Sequence, residues 1–205
     1  MSNNLGQNPD SMFNDVLFSR ISNKFNLHDS KETRVYIQNH TSRVAEKASG
    51  FLRFLELDSF QQYKIIQLAI YHDIGKLGVS PDLLFKAVKL KKTDIEMIRK
   101  HSEYGGLYIS CFPELLFLSP LIKHHHERWD GSGYPDGLKS YEIPFECRIL
   151  SIIDAFDAMI SERCYKRALT VVGALDEIKV HSGSQFDPHI SQVFIDSISI
   201  ERIKV

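Results

Sequence analysis

The chain has 205 residues, enough for one domain with a core of its own. Its composition, 43% hydrophobic and 25% charged, is that of an ordinary globule, and a formal net charge of −1 argues against the broad basic face that DNA or RNA binding needs. No apolar run reaches the length of a membrane span and the start, Met1-Ser2-Asn3-Asn4, lacks a basic region followed by an apolar one, so no membrane contact and a cytoplasmic location are expected.

Residues 1–10, rich in Asn, Ser, Gln and Gly, are expected to lack fixed structure. Phe13, Val16, Leu17, Ile21 and Phe25 then fall at helical spacing, giving a short amphipathic helix. The segment 32–57 predicts a longer one, with Thr33, Ile37, His40, Val44, Ala48, Phe51 and Leu55 on one stripe, so that His40 faces the apolar side. A third helix, about 60–73, carries Ile65, Ile66, Leu68, Ala69 and Ile70 and ends near Gly75. Ser80-Pro81 reads as the cap and first residue of a short helix, and Thr93 to about Phe112 as another, stopped by Pro113. The stretch 114–127 reads as helical up to the histidines, Asp130 to Ile143 as a loop, and Pro144 to Arg163 as a strong helix with Ile149, Ile153, Phe156 and Ile160 on its core stripe. Asp154 and Asp157 lie on a neighbouring polar stripe, and helices near 170–181 and 187–198 complete the chain. Residues 1–30 are expected to form a tail with a short helix, and 31–205 the domain proper, which is all-α.

Two segments carry chemistry. His124-His125-His126-Glu127 runs into Arg128-Trp129-Asp130-Gly131-Ser132-Gly133-Tyr134-Pro135, and Tyr71-His72-Asp73-Ile74-Gly75-Lys76 sets a histidine, a carboxylate and a lysine close together. Imidazole is the commonest protein ligand for transition metals, and a carboxylate has two oxygens with which to join two cations. His40 or His101 alone is more often a satisfied core residue than a ligand. Asp154, inside Ile152-Ile153-Asp154-Ala155-Phe156, is costly to bury without a cation or hydrogen-bond donors. His28, His181 and His189 have no such context and read as surface residues. Cys111, Cys147 and Cys164 are odd in number and lack CxxC spacing, which fits reduced thiols.

The ordered series His40, His72-Asp73-Ile74-Gly75-Lys76, His101, His125-His126-Glu127, Gly133-Tyr134-Pro135 and Asp154 resembles the HD-GYP domain, a branch of the HD superfamily of metal-dependent phosphohydrolases. The likeness runs from about residue 34 to 195, through Arg163-Cys164-Tyr165-Lys166 and Gln185-Phe186-Asp187-Pro188. It implies an HD-superfamily helical domain with a dinuclear metal site in the helix core, and hydrolysis of cyclic di-GMP to pGpG, GMP or both. By motif correspondence His40, His72, Asp73 and Asp154 hold one divalent ion, and His101, His125 and His126 the other, with Asp73 between them; iron or manganese is usual in the family. Such a pair of cations acidifies a bridging water for attack on phosphorus. Asp73 and Lys76 are the implied catalytic residues, and Lys76, Tyr134, Arg163 and Lys166 the implied substrate contacts.

The chain departs from the family pattern at Tyr36, where some members carry a glutamate that holds a third metal. A phenol is a poor ligand for a hard cation, so two metals are expected, and efficient conversion of pGpG to GMP is put in doubt. Cys164 and Ser102 stand at frequent proline positions outside the implied metal shell. No sensory module is visible, so control is expected from partners such as a GGDEF protein or a response regulator. A sensor or scaffold that binds a cyclic dinucleotide without turnover, a different nucleotide phosphohydrolase, and a phosphodiesterase for cyclic GMP-AMP are the competing readings; the intact histidine and aspartate series favours an active enzyme.

Overall fold

The first helix, α1 (Pro9–Phe25), begins before residue 13. The computed structural model describes residues 9–27, 30–162 and 167–203. Further helices are α2 (Lys31–Phe51), α3 (Ser59–Tyr71), α4 (Pro81–Leu84), α5 (Lys92–Arg99), α6 (His101–Ser110), α7 (Ser119–His124), α8 (Phe145–Ile160), α9 (Val171–Val180) and α10 (Pro188–Ile203). Short 3-10 turns at Leu52–Phe54, Ile74–Gly78, Pro113–Leu118 and Ser140–Glu142 join them. Among the described residues no strand forms; Ser182 and Phe186 make an isolated bridge.

The differences from the periodicity reading have local causes. The helix expected over 32–57 gives way after Phe51 because Asp58 must be extended (φ −68°, ψ 165°) to cap α3. Its carboxylate accepts from Gln61 N at 2.8 Å while Gln61 Oε1 accepts from Asp58 N at 3.2 Å. The helix expected over Thr93–Phe112 is interrupted at Lys100, where His101 Nδ1 and Ser102 Oγ donate to the carbonyls of Ile98 and Arg99. The stretch 114–127 is a 3-10 turn followed by the short α7, with Pro113 and Pro120 each removing a backbone donor. The helix from Pro144 ends at Ile160, short of Arg163, while the last helix runs beyond residue 198 to Ile203.

One apolar core joins these elements. Ile37, Val44 and Ala48 from α2 meet Ile65 and Leu68 from α3, Ile149 and Ile153 from α8, and Phe194 from α10, all essentially buried. Leu17, Phe18 and Ile21 from α1 belong to the same core. Each buried Val, Leu, Ile or Phe among them contributes about 1.5–3 kcal/mol by leaving water. α2 packs on α3 and α8, while α6 packs on α7 and on the Ile74–Gly78 turn. Gly75 makes that last approach possible, since a Cβ there would stand 1.8 Å from the carbonyl oxygen of His101. The ends of α3, α5 and α7 are thereby brought beside the middle of α2 and α8.

Candidate metal centre

His72 follows the last residue of α3, His101 lies just past α5, and His125 just past α7. The last carbonyls of a helix lack an intrahelical partner. In each case the imidazole uses one: Nδ1 of His72 bonds Ala69 O at 2.9 Å, Nδ1 of His101 bonds Ile98 O at 2.7 Å, and Nδ1 of His125 bonds Ile122 O at 2.6 Å. A carbonyl can only accept, so Nδ1 carries the proton and Nε2 is left as a lone pair. The Nε2 atoms of His72 and His101 face the carboxylate of Asp73, and that of His125 faces His101. Asp73 Oδ2 lies 3.7 Å from His72 Nε2 and 3.6 Å from His40 Nε2, and Asp73 Oδ1 3.4 Å from His101 Nε2. The two carboxylate oxygens thus face two separate groups: His40 and His72 on one side, His101, His125 and His126 on the other.

The chemistry of this donor set fits divalent cations. His101 Nε2 stands 3.3 Å from His125 Nε2, an approach of two lone pairs that no proton joins if both rings are neutral. Burial keeps them neutral, pulling His101 down to about 4 and His125 down to about 3. His72 and His126 are likewise lowered, burial being the largest cause. His72 Nε2 is buried with no hydrogen-bond partner. Burial alone would raise Asp73, but the Lys76 ammonium, with the protonated His40 beside it, holds it well below the usual carboxylate range. Lys76 Nζ is 2.5 Å from Asp73 Oδ2, which more than offsets the burial that would discharge the lysine.

His40 is held differently. Its Nε2 lies 3.0 Å from Asp154 Oδ1 and its Nδ1 3.2 Å from Asp157 Oδ2. Burial favours the neutral ring, but the two carboxylates prevail and raise it to about 9. Asp154 is depressed to about 2 in spite of its burial, chiefly by the hydrogen bond from His40. A divalent cation at this position would replace the proton that His40 shares with Asp154. The sequence reading missed Asp157, which is 0% exposed and takes Arg43 (Nε at 3.2 Å and Nη2 at 3.1 Å) and Lys47 (3.0 Å) besides His40. The available signal was the spacing of Arg43 and Lys47, one and two turns beyond His40 on α2.

The loop after His126 closes over the centre. Buried Glu127 accepts from Asp136 N at 2.8 Å and Gly137 N at 3.1 Å. Gly133 allows the chain to fold back, since a Cβ there would meet Arg128 N at 2.4 Å. Tyr134 is thereby set with its ring 4.9 Å from that of His126, and burial raises its hydroxyl's pKa so that the proton stays on. Arg99, also missed in the sequence, lays its guanidinium 4.8 Å over the Tyr134 ring. Opposite them, Lys76 Nζ lies 5.3 Å over Tyr36, whose ring meets Phe85 edge-on. His124, left out of the implied ligands, turns away to Asp136 at 2.9 Å. Arg163, Lys166, Cys164 and His28 lie outside the described residues. From His125, His126 and Asp154 a cleft of about 390 Å³ runs past Ala155, Ala158 and Met159. His181 and His189 are at the surface as expected, the side chain of His181 being 45% exposed while it also lines that cleft.

Comparison with known proteins decides the family. The HD domain model matches residues 25–190. The chain belongs to the HD domain family. This HD domain is 33% identical over 187 residues to a Thermotoga maritima protein named cyclic di-GMP phosphodiesterase, covering 89% of the chain and 50% of that relative. It is 30% identical over 169 residues to the Vibrio cholerae protein named 3'3'-cGAMP-specific phosphodiesterase 2, covering 82% of the chain and 32% of that relative. The HD domain thus spans half the length of the first relative and about a third of the second. A solved HDG"Y"P protein of Bdellovibrio bacteriovorus superposes with a TM-score of 0.64 at 16% identity, covering 92% of this chain and 63% of the other, and shares the fold. Among the described residues no helix of the HD domain is long and apolar enough to cross a membrane.

Proposed function

We propose that this domain hydrolyses a phosphodiester bond of a cyclic dinucleotide, cyclic di-GMP, opening it to pGpG and carrying it on to GMP less efficiently. The observation that carries the reading is the set of lone pairs that His72 and His101 turn to Asp73 and His125 turns to His101, a donor set without protons to share. Two divalent ions, iron or manganese, held by His40, His72, Asp73 and Asp154 and by His101, His125, His126 and Asp73, would supply Lewis acidity and an acidified water. Two ions rather than three follow from Tyr36, whose phenol is a poor ligand for a hard cation.

The chain's own groups have definable tasks in that reaction. Asp73 spans the two halves of the centre, and its charge is set by Lys76. Lys76 also offers a fixed positive charge to a phosphoryl oxygen at the mouth. Tyr134, its ring held between Arg99 and His126, presents a protonated hydroxyl to a phosphate. Arg163 and Lys166 are further phosphate contacts in this reading. A cyclic GMP-AMP substrate is the second reading, favoured by the V. cholerae relative named for that nucleotide. Purified anaerobically, the protein should hold two iron or manganese ions per chain and turn over cyclic di-GMP faster than cyclic GMP-AMP or pGpG, read by nucleotide chromatography. Asp73→Asn should reduce turnover to background; unchanged turnover in that variant would refute the centre.

A further inference from the structure

A cyclic dinucleotide has two phosphodiesters on opposite sides of its macrocycle. When one is at the metal centre, the other brings a second negative charge into the site, which costs free energy unless a donor meets it. Most cations near the centre already have acidic partners. Lys76 is held by Asp73, Lys123 by Asp136 at 2.7 Å, and Arg43 and Lys47 by Asp157. Arg128 is bonded to Gln185 at 2.6 Å and Ser132 at 2.9 Å. Arg99 differs from all of them. It is exposed, ends α5 at the break before His101, and rests on the face of Tyr134 with no carboxylate of the described residues within ion-pair distance. The same ring packs against His126, so the guanidinium stands one aromatic ring away from the ligand cluster.

We infer that Arg99 is a specificity residue that binds the dinucleotide's second phosphate, the one not being cleaved. The inference rests on the phosphodiesterase reading above. A guanidinium laid flat on an aromatic ring keeps its N–H fork free at the edge and loses little further freedom when two oxygens dock on it. Lysine at this position would keep the charge but lose the fork.

The metal-loaded protein and its Arg99→Ala and Arg99→Lys variants should be assayed on cyclic di-GMP and on bis(p-nitrophenyl) phosphate, which has a single phosphodiester. Loss of a charged bidentate contact should raise KM for cyclic di-GMP roughly 10- to 100-fold in Arg99→Ala, with kcat changed less than about threefold and partial recovery in Arg99→Lys. Kinetics on the single diester should stay at the wild-type level. Equal losses on both substrates would overturn the inference, because Arg99 would then only seat Tyr134 beside His126. Unaltered KM for cyclic di-GMP would overturn it too. A wild-type protein that cleaves the single diester but not cyclic di-GMP would remove the substrate reading and Arg99's assignment, yet leave the metal centre standing.

Discussion

Asp157 controls one half of the centre from behind, and its replacement separates the two halves. Its Oδ2 takes the Nδ1 proton of His40 at 3.2 Å, leaving Nε2 to face Asp154 and Asp73. Asp157→Ala removes that anchor, while Asp157→Asn keeps an acceptor and loses the charge. Loss of a hydrogen-bond partner behind a metal-binding histidine typically weakens metal affinity 10- to 100-fold, or about 1.4–2.7 kcal/mol. The upper end is expected for Ala and the lower for Asn. Stability falls less than a wholly buried ion pair would suggest, because the Arg43 and Lys47 side chains are 44% and 26% exposed and can turn to water. Calorimetric titration of the metal-stripped protein with manganese should resolve two sites, with only the one containing His40 weakened in Asp157→Ala. Equal weakening of both sites, or of neither, would refute the reasoning.

Gly75→Ala should destabilise the protein by about 1–3 kcal/mol, because its Cβ would fall 1.8 Å from His101 O and the turn must move away. For a chain of this size that is a fall in Tm of roughly 2–12 °C, and an unchanged melting curve would refute the close packing. Chelation of the metals should lower Tm while leaving far-UV circular dichroism intact, because the imidazoles keep their carbonyl partners without ions. An ion present at a hundred times its Kd contributes about 2.7 kcal/mol, so manganese added back should restore roughly 5–10 °C; no shift on chelation would count against a bound ion.

Much of this site was legible because its chemistry is written in short, ordered motifs. The apolar stripe of α2 put His40 on the core side, and His72-Asp73 beside Gly75 indicated a helix end. Periodicity could not reveal the break at Lys100, since Ile95, Ile98 and the residues beyond keep a helical pattern across it. That break depends on side-chain bonds to Ile98 O and Arg99 O and on a backbone approach from Gly75. Asp157 read as one more polar residue on α8 because its partners, Arg43 and Lys47, come from α2. Arg99 fell inside the single helix expected over 93–112, and its contact with Tyr134 exists only after the loop over 128–139 has folded back.

Three of the histidines carry their aiming device with them. His72, His101 and His125 each take direction from a carbonyl three positions upstream, so a substitution far along the chain leaves that alignment untouched. His40 depends on a partner 117 positions away and is aimed only when α8 is docked. Inheritance can therefore redesign the α8 side of this domain at the risk of the ion position that His40 shares with His72, while His72, His101 and His125 keep their local aim.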